Sequence, residues 1–407
     1  MADPVPGAHT FALTVAVNGG ARWEDEARSG WSHLLEHLVF KGAGDMSARE
    51  IVERIEAVGG SINAATGQER TSFEVRGVEG TLPLALQVVS DLIFNPTLTP
   101  EEIEREKDVV AQEIAEAFDT PDDHVFEMCA ARAFAGQPLG RPILGSVASL
   151  KPVSHDAIAD WRARLYDPSR MVVAVSGAVD ETALLRQVEA LFGGRASTPV
   201  EAPAPARFVG GEAKLARRIE QANLVFQLPG LASDDPDFPA LRLFTEILGG
   251  GMASRLFQSA REERGLAYAV DAYAEAYQDT GLVGIYAGAA ADRAEELAQV
   301  AAGETRSLAE DGPNAAELDR AKAVMRAGHL MAEESLTQRA GRRAAQTLVY
   351  GAPQSLDTMI GRLTAPSVED VRAVGLRLLK PGLAATAVLG PRSAGRAGAV
   401  FAQGVGG

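Results

Sequence analysis

The sequence predicts an α+β protein made of two tandem homologous domains, each a mostly antiparallel sheet packed against helices. Three observations lead there. A chain of 407 residues is too long for one ordinary hydrophobic core. Short β-rich runs alternate irregularly with helical patterns, so sheet and helix share each core. A faint repeat runs at a constant offset of 213 and pairs Leu150 with Leu363, Ile158 with Val371, Leu165 with Leu378, Pro168 with Pro381 and Gly177 with Gly390. Both copies read as a helix, a proline-marked turn, a small-residue strand and a glycine. The stretch 193–212, GGRASTPVEAPAPARFVGG and its neighbour, is the long interior run of Pro, Gly, Ala and Ser and reads as a linker. The expected domains are therefore 1–192 and 213–395, followed by a flexible Gly/Ala tail at 396–407.

The elements follow in order. His9 to Val17 carries Phe11, Leu13, Val15 and Val17 at alternate positions, a strand with one well-buried face. An apolar helical run over Trp31–Gly42 comes after Asn18-Gly19-Gly20. Ser47 and Glu50 have capping-box spacing and open a helix through Ile51, Ile55 and Val58, which Gly59-Gly60 stops. Two short strands are expected around Ser61–Ala65 and Thr71–Val75, then a helix from about Leu82 to Phe94. Thr99-Pro100 with Glu102 is a second start signal, and its helix runs through Glu106 and Glu113 to about Phe118. One or more helices follow Asp119-Thr120-Pro121. A helix through Ile158 and Leu165, a strand at Met171–Ser176 and a helix at Glu181–Phe192 close the first half.

In the second half, Gly249-Gly250-Gly251 ends a helix. No phosphate-loop pattern follows, so close backbone packing or a hinge is the expected role. Tyr268–Ala276 and Gly281–Ala287 read as an antiparallel pair. Long helices, with breaks, fill Ala291–Ala309 and Ala315–Gly351.

Composition narrows the function. The formal net charge of −16 offers no basic stripe to neutralise phosphates, which disfavours nucleic acid as a partner. Cys129 is the single cysteine, so thiolate metal sites and intrachain disulfides are excluded. No apolar run approaches a membrane span, and Met1-Ala-Asp-Pro-Val-Pro-Gly lacks the basic and apolar regions of a signal peptide. A soluble, cytoplasmic protein is expected.

The strongest chemical statement is His33-Leu-Leu-Glu36-His37. On a helix, His33 and His37 stand at i and i+4 on one face, where both imidazoles can reach one Zn²⁺. Glu36 points to the same side and can take a proton from an attacking water. The competing reading is a pair of hydrogen-bonded core histidines, and a third ligand decides between the two. Glu106 and Glu113 share a face two turns apart, but their helix also carries Glu101, Glu102, Glu104 and Glu116. Composition alone favours a solvated acidic face there. No histidine lies between His155 and His329, so the second half has no zinc motif of its own.

Taken together, these residues resemble the pitrilysin family of inverzincin metallopeptidases over nearly the whole chain. The likeness is greatest to the half-length branch that includes mitochondrial processing peptidase and its bacterial relatives. His33-Leu-Leu-Glu36-His37 with Phe40-Lys41-Gly42 is similar to the catalytic helix of that family. Glu106-Lys-Asp-Val-Val-Ala-Gln-Glu113 is similar to its downstream helix. The resemblance implies that Glu113, 113 − 37 = 76 positions after His37, is the third zinc ligand and that Glu106 supports catalysis.

It also implies that Asn63 and Ala64 lie along the substrate and that Phe40 contacts the residue after the cut. Asp123 and Glu127 would bind an arginine before the cut. Arg261 and Tyr268 would be contributed by the second domain to stabilise the tetrahedral intermediate. The implied protein is a zinc endopeptidase acting on extended, presequence-like peptides, as a homodimer or as a heterodimer with a related subunit. The alternative is a non-catalytic or partner-dependent subunit of a peptidase or scaffold complex. Two departures stand out. The chain starts too late for the family's first strand, so the start is misassigned or the sheet lacks an edge strand. Ala43 replaces a common threonine.

Overall fold

The computed structural model describes residues 1–197 and 200–406; Thr198 and Pro199 of the expected linker, and Gly407 of the expected tail, lie outside the described residues. The first half runs β1 (Ala2–Pro4), β2 (Thr10–Val17), α1 (Trp31–Val39), β3 (Gly42–Ala43), β4 (Met46–Ser47), α2 (Ala48–Glu56), β5 (Ser61–Thr66), β6 (Thr71–Val78), α3 (Leu82–Phe94), α4 (Pro100–Asp119), α5 (Pro121–Ala133), α6 (Val147–Leu150), α7 (His155–Leu165), β7 (Met171–Gly177) and α8 (Glu181–Phe192). The second runs β8 (Gly211–Ala216), β9 (Gln221–Pro229), α9 (Phe238–Gly249), a π-helical turn at Phe257–Glu262, β10 (Ala267–Ala276), β11 (Gly281–Ala290), α10 (Ala294–Asp311), α11 (Ala315–Glu333), α12 (Leu336–Tyr350), α13 (Leu356–Thr364), α14 (Val368–Leu378), β12 (Ala385–Gly390) and α15 (Ala397–Gly406).

Two compact units result. The first holds Met1–Ala115, Pro142–Pro203 and Leu330–Gln354; the second holds Glu116–Arg141, Ala204–His329 and Ser355–Gly407. They are not the contiguous halves that the linker suggested, because 116–141 joins the second unit and 330–354 the first. Residues beyond Gly210 already belong to β8, so the connecting stretch is shorter than 193–212.

Each unit is built on one five-stranded sheet, and the two sheets share a topology. The first has the order β1-β7-β2-β6-β5 and the second β10-β11-β9-β12-β8. In both, the short edge strand runs parallel to its neighbour and every other pairing is antiparallel. The repeat offset is realised in the coordinates: α7 starts at 155 and α14 at 368, and 368 − 155 = 213, while β7 and β12 end at Gly177 and Gly390. The expected fold class is the observed one.

Of the two alternatives for the start, a sheet without its edge strand is not what is observed. β1 lies along β7 with Ala2 opposite Val175 and Pro4 opposite Gly177. It is three residues long, and the Met1 ammonium donates to the Val173 carbonyl at 2.6 Å to extend it.

β2 is buried on both faces rather than one. Phe11, Leu13, Val15 and Val17 point into the main core with Leu34, Leu35 and Leu38 of α1 and Leu86 and Val89 of α3. On the opposite face, Ala16 and Ala174 pack against Ala344 and Leu348 of α12. Small residues on that face let a helix come close, which is why its pattern looked half-exposed in sequence. In the second unit α5 plays the same part, with Val125, Cys129 and Ala133 against Val225, Ala387 and Leu389.

Most of the expected flexible tail is instead the helix α15, Ala397–Gly406. Phe401 is fully buried and stacks on Phe226 with ring centroids 4.3 Å apart. Gly398 and Gly404 lie against Thr386 and Ala302, so the small residues that suggested fraying are packing contacts. At the end of α9, Gly249 is required by packing, since a Cβ there would sit 2.3 Å from the Ala272 amide nitrogen.

Candidate active site

α1 begins at Trp31 after Gly30, which has φ 89° and brings no capping side chain. A Cβ on Gly30 would lie 2.5 Å from the Leu144 carbonyl oxygen, so glycine is required there. The missing cap comes from Glu24, six residues upstream and only 3% exposed. Its carboxylate accepts from the Gly30 amide at 2.8 Å and the Ser32 amide at 2.7 Å. The Trp31 indole donates to the Ser149 carbonyl at 2.9 Å. Leu34, Leu35, Leu38 and Val39 are fully buried, which turns His33, Glu36 and His37 toward the opposite, part-exposed face.

The predicted pair stands as the spacing requires, with the two imidazole centroids 4.7 Å apart. Both Nε2 atoms face Glu113 of α4: His33 Nε2 is 3.8 Å and His37 Nε2 is 3.6 Å from Glu113 Oε2. The three ligand atoms lie within 4.8 Å of one another. Ligands about 2.0–2.1 Å from a tetrahedral zinc are roughly 3.4 Å apart, so a small inward adjustment suffices. Glu113 Oε2 is buried and has no hydrogen-bond partner among the described residues. A lone carboxylate oxygen between two imidazole nitrogens is costly unless a cation sits there. Burial, and then the neighbouring His37, hold the His33 imidazole down to about 4, so it is neutral and able to ligate near pH 7. The residues fit a divalent metal of the zinc class.

Glu106 of α4 is 1% exposed and is not a solvated face residue. The His37 Nδ1 donates to Glu106 Oε2 at 3.1 Å, and Lys41 Nζ donates to Glu106 Oε1 at 2.9 Å. Glu36 lies on the same helical face as the two histidines, and its Oε2 is buried without a hydrogen-bond partner among the described residues. Phe40 is the C-terminal cap of α1 and packs partly buried against the first core.

β5 supplies the flank. It ends the first sheet and pairs only with β6 among the described strands, with Asn63 opposite Glu74 and Ala64 opposite Phe73. Asn63 is exposed and Ala64 is buried, as strand alternation requires. The Thr66 hydroxyl donates to the Ser32 carbonyl at 3.5 Å, which ties β5 to α1.

The remaining predicted residues belong to the second unit, whereas the three-residue cluster belongs to the first. Tyr268 is the second residue of β10 and is 78% exposed, and the Arg261 guanidinium lies 5.7 Å from its ring centroid and 4.7 Å from that of Phe257. Asp123 and Glu127 lie one turn apart on α5, where His124 Nδ1 is 3.5 Å from Glu127 Oε2. Burial raises the Glu127 carboxyl; His124 opposes that shift and Asp123 adds to it.

Residues 4–147 match the model of the insulinase family, peptidase family M16, and residues 152–325 match that of the peptidase M16 inactive domain. The chain belongs to peptidase family M16. It is 34% identical over 400 residues to an uncharacterized zinc protease of Streptomyces coelicolor, covering 96% of this chain and 86% of that protein. To the uncharacterized zinc protease YmxG of Bacillus subtilis it is 32% identical over 378 residues, covering 92% of this chain and 91% of that one. Among solved structures it resembles a protease from Helicobacter pylori with a TM-score of 0.88 at 22% identity, over 96% of each chain. It also resembles a peptidase M16 inactive domain from Pseudomonas fluorescens, with a TM-score of 0.86 at 23% identity over 96% and 95%. These two likenesses bear on the fold alone.

All three ligand candidates lie within residues 4–147, the stretch that matches the insulinase-family model. Among the described residues, no helix is long and apolar enough to cross a membrane. Sequence reasoning missed Glu24 and Lys41. The only signal for Glu24 was the absence of a capping residue before α1.

Proposed function

We propose that this M16 chain is a zinc-dependent endopeptidase with Glu36 as general base. The observation that carries the reading is the convergence of His33 Nε2, His37 Nε2 and Glu113 Oε2, on a site whose histidine helix also bears Glu36, with a buried oxygen that has no hydrogen-bond partner among the described residues. Those three atoms would hold Zn²⁺, which when bound polarises the scissile carbonyl and acidifies the attacking water.

The chain's own residues do the rest. Glu36 accepts the proton of the attacking water at Oε2 and passes it to the leaving amine. Glu106 keeps the His37 Nδ1 proton in place, so that Nε2 presents its lone pair. The open edge of β5 takes the substrate as an added strand beside Asn63 and Ala64, with affinity from backbone hydrogen bonds and broad side-chain preference. That selects extended, unstructured peptides.

The family resemblance extends this reading. Arg261 and Tyr268 stabilise the oxyanion, Phe40 contacts the residue after the cut, and Asp123 with Glu127 favours arginine before it. The working assembly is a homodimer. Metal analysis of the purified protein, with a fluorogenic-peptide assay with and without chelator, tests the reading. Zinc near one per chain and chelator-sensitive cleavage are expected. A protein that neither binds zinc nor cleaves peptides overturns it. A peptide library without enrichment of arginine before the cut removes the basic preference alone.

A further inference from the structure

We propose that Lys41 is a positioning residue for the metal site, acting through Glu106 on His37. The inference rests on the zinc reading above and adds to it a residue that touches neither metal nor substrate.

The chain turns sharply after α1. The Phe40 and Lys41 amides donate back to the His37 and Leu38 carbonyls at 3.2 and 3.0 Å, which aims the Lys41 side chain at α4. There Lys41 Nζ is 2.9 Å from Glu106 Oε1, while Glu106 Oε2 is 3.1 Å from His37 Nδ1. One carboxylate therefore bridges an ammonium and a ligand imidazole, with one oxygen for each.

An exposed lysine–glutamate pair would contribute little to anything. This pair is different because Glu106 is 1% exposed. A carboxylate at that depth needs full compensation, and Lys41 with His37 accounts for both of its oxygens. Without Lys41, Oε1 is left buried and unpaired. The carboxylate then gains by turning toward another donor, and the His37 ring loses the fixed acceptor that sets its tautomer and orientation.

The two histidines are not supported alike. His33 Nδ1 is buried with no hydrogen-bond partner among the described residues, so no hydrogen bond at that nitrogen fixes the ring. Of the two imidazoles, His37 is the one held by a hydrogen bond, and the far end of that bond is Lys41. Disturbing the relay loosens the better-fixed ligand.

The test uses the full chain with Lys41→Met, which keeps length without charge, and Lys41→Arg, which restores a donor. Zinc affinity is read by competition with a chromophoric chelator, and the cobalt-loaded proteins are compared by visible absorption. Melting of the metal-free proteins reports any general damage. We expect Lys41→Met to bind zinc about 10-fold or more weakly with an altered cobalt spectrum, Lys41→Arg to recover most of the loss, and the metal-free melts to coincide. Zinc affinity of Lys41→Met within about twofold of the parent overturns the proposal while leaving the zinc reading intact. Loss of affinity matched by a lower metal-free melt overturns it too, by showing a structural role. A parent that binds no zinc overturns both readings at once.

Discussion

Asp3 and Arg339, 336 positions apart, form a two-armed ion pair, with Nε to Oδ2 at 2.7 Å and Nη2 to Oδ1 at 2.8 Å. Arg343 adds a third contact to Asp3 at 2.8 Å, and the Ser176 hydroxyl donates to it at 2.9 Å. Behind them, Glu333 pairs with Arg339 and Arg342. Residues from α11 and α12, far along the sequence, are thereby fastened to β1 and β7 within the first unit.

Replacing Arg339 with Ala leaves Asp3 buried with fewer partners and loosens α12 from the sheet. A loss of about 3 kcal/mol in unfolding free energy is expected, the usual cost of breaking a buried pair from one side. Urea denaturation at pH 7 measures it. A loss below about 1 kcal/mol would assign the pair to ordinary surface behaviour.

The same pair has a pH signature. Burial by itself would raise the Asp3 carboxyl, but hydrogen bonds from Arg339 and Ser176 and the charges of Arg343 and Arg339 outweigh it and hold the group below 3.8. A carboxyl depressed by folding adds stability that is fully present above its unfolded value and is lost as pH falls through the folded one. Between pH 7 and pH 5, stability should therefore differ by a constant amount between the parent and Asp3→Asn. Below about pH 4 the parent should lose the advantage and the two curves converge. Parallel curves down to pH 2 would show that Asp3 is not held low.

How much of this was legible in the sequence follows the distance over which each contact acts. His33, Glu36 and His37 lie within one turn and a half of helix, so their spacing alone placed them. The capping box at Ser47 and Glu50 is equally local and is present. Glu113 was ambiguous because an acidic helix looks alike whether one carboxylate turns inward or all face water. Only the resemblance singled it out. The packing of α12 on β2 and β7 was invisible, since Ala16, Ala174 and Ala344 carry no signal of what they meet. α15 was misread for a related reason: glycine and alanine suggest freedom until a partner such as Thr386 or Ala302 is seen against them.

Glu24 makes a separate prediction about the metal helix. Glu24→Ala leaves the Gly30 and Ser32 amides unsatisfied in a buried setting. The expected cost is about 1–2 kcal/mol of stability, with weaker zinc binding because α1 carries two of the three ligands. Glu24→Gln keeps an acceptor oxygen and should recover part of both. Unfolding free energy and chelator competition, measured together, decide it; an unchanged Glu24→Ala would mean that solvent caps the helix.

The C-terminal helix yields a stability prediction of its own. Phe401 is fully buried between α15 and the sheet and stacks on Phe226. Phe401→Ala should cost about 3–5 kcal/mol by cavity formation. Removing residues 396–407 should destabilise the protein at least as much. A truncated chain that melts with the parent would restore the view of this segment as a loose tail.

Metal binding and turnover should separate along the site's geometry. Glu113→Ala removes a ligand atom that faces both imidazoles, so zinc and activity should fall together. Glu36→Gln leaves all three ligand atoms in place and removes only the proton acceptor. It should keep zinc near one per chain and lose turnover by about 100-fold or more. Tyr268→Phe removes a hydroxyl exposed in the second unit and should lower kcat with zinc content unchanged. If the proposed homodimer shares its sites, Glu36→Gln and Tyr268→Phe chains, each impaired alone, should regain activity above either parent variant when mixed and allowed to exchange subunits. One class of mixed dimer would then hold an intact Glu36 beside an intact Tyr268. Mixed samples no more active than the average of the two variants, with exchange verified by mass, would confine each site to a single chain.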